Sequence, residues 1–200
     1  MKLFDKLKWI LGIVIVFVLI AATNLIDRNN FIQVKESVQS IYEDRLIAKD
    51  LILDIYKLIQ EKEIALITSD ANFFTARNQV INEEIGQLLD SFEHTRLTEN
   101  EERVFNRLQE NFEIVLQDES KLLNNDFNNA SVLLEDIRRI EGDLYALSDI
   151  QVSEGNRQVA ITKRATESIE LFTQLEIYML IFLAVLIQVI ILYRPKKEDA

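Results

Sequence analysis

The chain combines two long apolar runs with a central region in which apolar and polar residues alternate. The first run, 9–26, holds no charged residue over about 18 positions, and the second, 175–193, is interrupted only by Glu176 near one edge and by Gln188. A helix needs about 20 predominantly apolar residues to cross a bilayer. The pattern therefore predicts two transmembrane helices, one near each end of the chain.

Between the runs, apolar residues recur at alternating spacings of three and four, as expected for the buried face of a helix. Breaks in this periodicity separate four helices, at about 27–68, 73–94, 99–124 and 130–174. The longest seam, on the first helix, comprises Phe31, Val34, Val38, Ile41, Arg45, Ala48, Ile52, Ile55, Ile59, Lys62 and Leu66. Short connections make consecutive helices antiparallel. We therefore predict an all-α fold, an antiparallel up-down-up-down four-helix bundle whose first and fourth helices continue into the transmembrane helices.

Polar residues mark the ends of the predicted helices. Ser69, Asp70 and Asn72 provide turn and cap residues after the first helix. Thr98 is followed three residues later by Glu101, which is the pattern of a capping box and predicts the start of the third helix. The asparagine-rich stretch 124–129 predicts the last turn.

Composition agrees with an all-helical chain and excludes several kinds of site. One proline and four glycines are too few for a protein rich in strands and tight turns. The absence of cysteine excludes disulfides and thiolate metal ligands. The net charge of −11 argues against nucleic-acid binding, because phosphate contacts need clustered Lys and Arg.

The distribution of basic residues predicts how the chain crosses the membrane. Segment 27–176 holds 16 of the 22 Lys and Arg residues but 30 of the 33 Asp and Glu residues. The remaining basic residues flank the apolar runs on their outer sides, at Lys2, Lys6, Lys8, Arg194, Lys196 and Lys197. Since cytoplasmic flanks are the positively charged ones, residues 1–8 and 194–200 are expected in the cytoplasm. The domain 27–174 is expected on the far side, in the periplasm of a bacterial inner-membrane protein.

A cleaved signal peptide is the alternative interpretation of the first run. Its basic start suits a signal peptide, but the small-residue cleavage pattern around 21–23 is poor. The apolar pattern also continues without a break into the next helix. These features favour an uncleaved anchor.

Helix length favours a homodimer. The outer part of the first helix, 27–68, would extend about 63 Å at 1.5 Å per residue. The second and third helices are far shorter, so they cannot accompany the first and fourth down to the membrane. A parallel homodimer would complete that stem as four helices.

Four basic residues are candidates for ligand binding. Arg45 lies on the buried seam, where a guanidinium needs either a bound carboxylate or a structural partner such as Glu141 or Asp143. Arg138 and Arg139 could form a basic pocket with Lys49 at a dimer interface, or simply face solvent. Adjacent helical residues diverge by about 100°, so at most one of the two arginines faces a given pocket.

No catalytic, metal or cofactor motif is apparent. His94 is the single histidine and lies in a predicted turn, without metal-ligand spacing. The acidic pairs at 83–84 and 101–102 are expected to be helix-surface and first-turn charges. Six phenylalanines are expected in the bundle core: Phe73, Phe74, Phe92, Phe105, Phe112 and Phe127. The chain is therefore not expected to be an enzyme.

The block Tyr42-Glu43-Asp44-Arg45-Leu46 resembles the motif near the start of the four-helix-bundle ligand-binding domain of methyl-accepting chemotaxis receptors. The resemblance extends over nearly the whole chain, including both apolar runs. It implies a dimeric sensor that binds a small molecule or a protein partner and transmits a small helix displacement through the second span.

The resemblance is weakest at the C-terminal end. Arg194-Pro195 resembles the beginning of a HAMP relay, yet the sequence ends at Ala200. We therefore expect no output domain in this chain, and a signal passed to full-length chemoreceptors or another membrane signalling protein. The alternative is a structural or scaffolding envelope protein that acts through helix–helix contacts. The sequence does not identify a ligand.

Overall fold

The computed structural model of the protein describes residues 3–122 and 130–192, and within these ranges every regular element is helical. Its elements are α1 (Leu3–Ser40), π1 (Ile41–Leu46), α2 (Ile47–Ile67), π2 (Phe73–Arg77), α3 (Asn78–Glu93), α4 (Glu99–Leu122) and α5 (Ala130–Leu192). In the described ranges α1, π1 and α2 form one continuous rod, so the chain has four rods. The predicted all-α class with four helices is confirmed. The asparagine-rich turn, Phe127, Lys2 and the basic flank 194–197 lie outside the described residues.

Two of the rods contain a short π-helical segment. At the end of π1 the Ile47 N–H donates to the Tyr42 carbonyl, and at the end of π2 the Asn78 N–H donates to the Phe73 carbonyl. Both bonds span five residues instead of the four of an α-helix, so each segment accommodates one extra residue per turn. Such segments are frequent at functional sites.

The chain divides into two compact units, and residues 38–159 form the one with a large apolar core. The core is built from aliphatic side chains on α2, α3, α4 and α5 and from five of the predicted phenylalanines. Phe73 contacts Phe74 edge to face, and the rings of Phe92 and Phe105 lie 5.1 Å apart between α3 and α4. These phenylalanines and Phe112 are buried, as predicted.

The predicted seam of the first helix is buried in its outer half, and its start is exposed within the single chain. From Arg45 to Leu66 every predicted seam position is buried. By contrast, Phe31 and Val38 are 65% and 53% exposed. The wider turn of π1 changes the phase of the helix face, so a regular three-four spacing cannot be continued across it.

The first connection between rods lies between α2 and π2, where one helix ends and the next begins within a few residues. The N–H groups of Ser69 and Asp70 donate to the carbonyls of Leu66 and Ala65, with Ser69 at a φ of 52°. This is a Schellman motif, which satisfies the last carbonyls of a helix. The Asp70 carboxylate then accepts from the backbone N–H groups of Asn72 and Phe73, which caps the next helix.

The second unit comprises 1–37 and 160–200. Within it, Thr23 donates to Glu176, and Asn30 donates to Ser168 at 3.1 Å. The helices Val14–Ile67 and Ala130–Leu186 are long and apolar enough to cross a membrane, and 6% and 0% of their most apolar windows are buried. The core helix of a soluble protein would instead bury such a window against its neighbours.

The positive φ of Ser69 generates a stability prediction. A side chain in the left-handed region costs about 1–2 kcal/mol per residue relative to the right-handed one, and glycine avoids this cost. Ser69→Gly should therefore raise the free energy of unfolding of the full chain in detergent micelles by about 0.5–1 kcal/mol. Ser69→Val should lower it, and chemical denaturation followed by circular dichroism would measure both. A valine variant at least as stable as the glycine variant would contradict the assignment.

Candidate functional site

Arg45 lies at the centre of a buried polar cluster that joins three rods. Its Nη1 atom forms an ion pair with Glu101 of α4 and donates to Gln151 Oε1 of α5 at 3.1 Å. Its Nη2 atom donates to the Arg96 carbonyl at 3.2 Å, just before α4. Gln151 Nε2 in turn donates to Glu101 at 2.7 Å. Arg45, Glu101 and Gln151 are 7%, 0% and 2% exposed, so water does not replace these bonds.

Glu101 also closes the predicted capping box. Its Oε2 atom accepts from the Thr98 N–H at 2.7 Å, and its own N–H donates to Thr98 Oγ1 at 3.4 Å. The capping box and the first-turn position of Glu101 are confirmed, but its side chain is fully buried and does not lie on the helix surface. One carboxylate therefore starts α4 and also neutralises Arg45.

The predicted structural partners of Arg45 are wrong. Glu141 lies close to Gln60, at 3.4 Å, and Gln60 is fifteen residues beyond Arg45, or about 22 Å along the rod. Asp143 accepts from Arg107 at 2.6 Å and from Asn111 at 2.7 Å. The acidic residue at the level of Arg45 is Glu101. Its capping-box position is the signal in the sequence that could have identified it.

An open groove lies on the face formed by π1, α2 and α5. Its cavity has a volume of about 640 Å³. The lining is mostly aliphatic and aromatic: Tyr42, Leu46, Ile47, Lys49, Asp50, Ile52, Leu53, Tyr56, Leu144, Tyr145 and Ser148. Lys49 is exposed at this groove and has no hydrogen-bond or ion-pair partner among the described residues.

Two tyrosines meet at the groove. The Tyr56 and Tyr145 hydroxyls are 3.3 Å apart, and their rings are arranged edge to face at 5.6 Å. Gln60 donates to the Tyr56 hydroxyl at 2.8 Å. The Tyr145 hydrogen bond, burial and nearby carboxylates raise the pKa of Tyr56 to about 12. Tyr56 therefore keeps its proton at neutral pH. This pair had no signal in the sequence beyond two isolated tyrosines.

Arg138 and Arg139 do not line the groove. Arg138 Nε lies 3.8 Å from a Glu63 carboxylate oxygen, and Arg139 pairs with Glu135 and Asp136 on its own helix. Glu63 is fourteen residues beyond Lys49, which is about 21 Å along the helix. The predicted basic pocket of Lys49 with these arginines is therefore not assembled within one chain.

A second buried polar cluster lies around Lys62. Its ammonium is within 2.6 Å of Asn78 Oδ1 and 2.5 Å of Glu119 Oε1. Burial lowers the pKa of Lys62, and the Glu119 carboxylate opposes that effect. Lys62 was placed correctly on the seam, but periodicity alone could not reveal its polar neighbours.

His94 follows α3 and is exposed. Its ring lies beside the Asp90 carbonyl and carboxylate, which raise its pKa. Within 3–122 and 130–192, no group of three His, Cys, Asp or Glu side chains could hold a metal ion.

Comparison with known families decides how this site is interpreted. Residues 1–165 match the model of a four helix bundle sensory module for signal transduction. The chain belongs to this family. The predicted relation to chemotaxis receptors is thereby confirmed. The block Tyr42–Leu46, on which the resemblance in the sequence was based, lies within π1 and includes Arg45. The sensory module is a signalling domain and not a catalytic one. A search of curated proteins gave no match to the chain.

The buried cluster of the sensory module generates a second prediction. Arg45→Met should lower the free energy of unfolding by about 3–5 kcal/mol, because it leaves the Glu101 carboxylate buried and unpaired. Glu101→Gln keeps the capping box, since glutamine also serves at that position. The double variant Arg45→Met/Glu101→Gln should recover at least half of the loss. Denaturation of the four proteins of this cycle measures the coupling, and strictly additive effects would contradict the ion pair.

Proposed function

We propose that the chain is a two-pass membrane sensor whose sensory module lies outside the cytoplasm and binds a small molecule or partner at the groove. The observation that carries this proposal is the groove itself, a cavity of about 640 Å³ with an unpaired lysine on the face of a sensory module. The apolar runs 9–26 and 175–193 of the sequence supply the proposed anchors, and the helices Val14–Ile67 and Ala130–Leu186 are long and apolar enough to cross a membrane. The acidic segment between them supports a domain on the side opposite to the basic flanks.

The order of contacts between rods supports the up-down-up-down arrangement. From Arg45–Glu101 to Lys62–Glu119, residue numbers rise together on the first rod and on α4. Between the first rod and α5 they run in opposite senses, from Arg45–Gln151 through Tyr56–Tyr145 to Gln60–Glu141. In this arrangement α5 returns from the far end of the module toward the second span.

The face of the module that carries the groove is also the proposed homodimer surface. It carries an exposed apolar stripe made of Val38, Tyr42, Leu46 and Leu53 on the first rod, and of Tyr145, Val152 and Val159 on α5. The first-rod positions are spaced by four or seven residues, which suits a parallel pairing of two identical helices. Apolar surface of this kind normally marks an interaction site.

Of the four candidate ligand residues, Lys49 is best placed for direct contact. An ammonium without a partner, beside tyrosine rings and aliphatic side chains, suits an anionic group on an otherwise apolar ligand. Arg45 would act through the position of π1, because its Nη1 and Nη2 donors serve Glu101, Gln151 and the Arg96 carbonyl. Arg138 and Arg139 would contribute only through a second chain.

We propose that the signal is transmitted as a displacement of α5, the helix that carries Gln151. A ligand that moves Tyr42 or Leu46 on the outer side of π1 also acts on Arg45, on the inner side of the same segment. Arg45 contacts Gln151 of α5, whose helix extends to Leu192. The recipient of that displacement would be a full-length chemoreceptor or another membrane signalling protein.

Disulfide cross-linking tests the dimer surface. The sequence has no cysteine, so Leu46→Cys and Leu53→Cys each introduce a single thiol. In a parallel dimer these thiols approach their copies, and disulfides form when Cα atoms are within about 7 Å. Mild oxidation in native membranes should convert most of each variant to a covalent dimer on non-reducing gels. Gln87→Cys, exposed on α3, is the matched control and should remain monomeric. Equal cross-linking of all three variants would contradict the proposed surface.

A thermal-shift screen tests ligand binding at Lys49. The full chain in nanodiscs should gain Tm with at least one organic acid, because a ligand that binds only the folded state stabilises it. Lys49→Met should abolish that gain, whereas Lys57→Met should not, since Lys57 pairs with Asp54 and does not line the groove. No response to any metabolite, together with stoichiometric capture of an envelope protein, would favour the scaffolding alternative.

A further inference from the structure

The cluster around Lys62 places an amine, an amide and a carboxylate in mutual contact. Lys62 Nζ lies 2.6 Å from Asn78 Oδ1 and 2.5 Å from Glu119 Oε1. Glu119 Oε2 accepts from Asn78 Nδ2 at 2.8 Å and from Asn82 Nδ2 at 3.0 Å. One carboxylate thus touches both the amine and the nitrogen of the amide.

The cluster is shielded from water, and the amine is close to the amide carbon. Lys62, Glu119 and Asn78 are 0%, 7% and 8% exposed. Since a carbonyl bond is about 1.23 Å long, Lys62 Nζ lies no more than about 3.8 Å from Asn78 Cγ. Atoms held at about 3–3.5 Å in a fixed orientation react with effective molarities far above those in solution.

Burial shifts Lys62 toward the neutral amine, which is the nucleophilic form, while the Glu119 carboxylate opposes that shift. Burial lowers the pKa of Lys62, and a lysine desolvated in an apolar site is an established kind of activated nucleophile. The Glu119 carboxylate is in position to take the proton that the ammonium gives up. A carboxyl group between two nitrogens can also deliver a proton to the second one.

We propose that Lys62 and Asn78 are joined by an intramolecular isopeptide bond, with Glu119 as the catalytic residue. The lone pair of Lys62 Nζ attacks Asn78 Cγ, and a new C–N bond forms. Glu119 accepts a proton from Nζ and passes one to Asn78 Nδ2. The bond from Cγ to Nδ2 then breaks, and ammonia leaves. Amine plus primary amide gives secondary amide plus ammonia, so no oxidant or other reactant is needed.

Asn82 has a different part in the cluster. Its Nδ2 atom binds the same Glu119 oxygen that binds Asn78, and no contact joins Asn82 to Lys62 among the described residues. Asn82 is therefore a positioning residue that holds the carboxylate. The proposed bond would join α2 to α3 covalently in a chain that has no cysteine for a disulfide.

Mass spectrometry of the full-length protein purified in detergent tests the proposal. The intact mass should be about 17 Da below that of the unlinked sequence, which is the mass of the ammonia lost in this substitution. Trypsin should not cleave after Lys62. The digest should contain peptide 58–77 linked to peptide 78–96, and fragment ions should place the link at Lys62 and Asn78.

Three variants separate this bond from other causes. Lys62→Arg keeps the positive charge and should have the full mass, and so should Glu119→Gln. Lys57→Arg, at an exposed lysine that pairs with Asp54 outside the cluster, should still form the link. A wild-type mass equal to that of the unlinked sequence overturns the proposal. A loss of about 17 Da confined to one linear peptide also overturns it, because an asparagine that cyclises onto its own backbone loses the same ammonia.

Discussion

The structure of the module depends on a carboxylate that is completely shielded from water. A buried charge is costly unless it is paired and hydrogen-bonded, and Glu101 meets this requirement with Arg45, Gln151 and the backbone of its own first turn. The Glu101 side chain therefore determines where α4 starts. It also determines that this start packs against Arg45 of the first rod and against Gln151 of α5. Loss of any one partner would leave the others buried without compensation.

The two π-helical segments adjoin the two buried polar clusters. Arg45 lies inside π1, and Asn78 directly follows π2. An extra residue in a helical turn rotates the side chains around it about the helix axis. Here Arg45 and Asn78 lie on the inner face, level with their partners Glu101 and Lys62. In π1 the outer side of the same turn carries Tyr42 and Leu46 of the groove. The groove and the buried cluster are thus separated by one turn of helix.

The features of the fold that are set by local periodicity and by helix ends could be predicted from the sequence. The all-α class, the four rods, the Thr98 capping box and the seam from Arg45 to Leu66 all follow from spacings of three to four residues, and the structure confirms them. The sequence did not predict π1 or π2, because one extra residue in a turn leaves no compositional mark. It placed Arg45 on the buried face but assigned the wrong partner, because the vertical register between distant helices is set by tertiary packing. Lys49 lies at the groove, whereas Arg138 pairs with Glu63, about four turns of helix beyond Lys49.

Amide hydrogen exchange at the start of α4 is the most direct test of this account. The first four N–H groups of a helix normally lack partners and exchange quickly. Here the Thr98 N–H donates to the Glu101 carboxylate and the Glu101 N–H donates to the Thr98 hydroxyl, beneath a buried ion pair. In the full chain they should exchange as slowly as amides at the centre of α4, such as that of Phe112. Exchange at the rate of an unprotected peptide, with the centre of α4 still protected, would contradict a structure organised around Glu101.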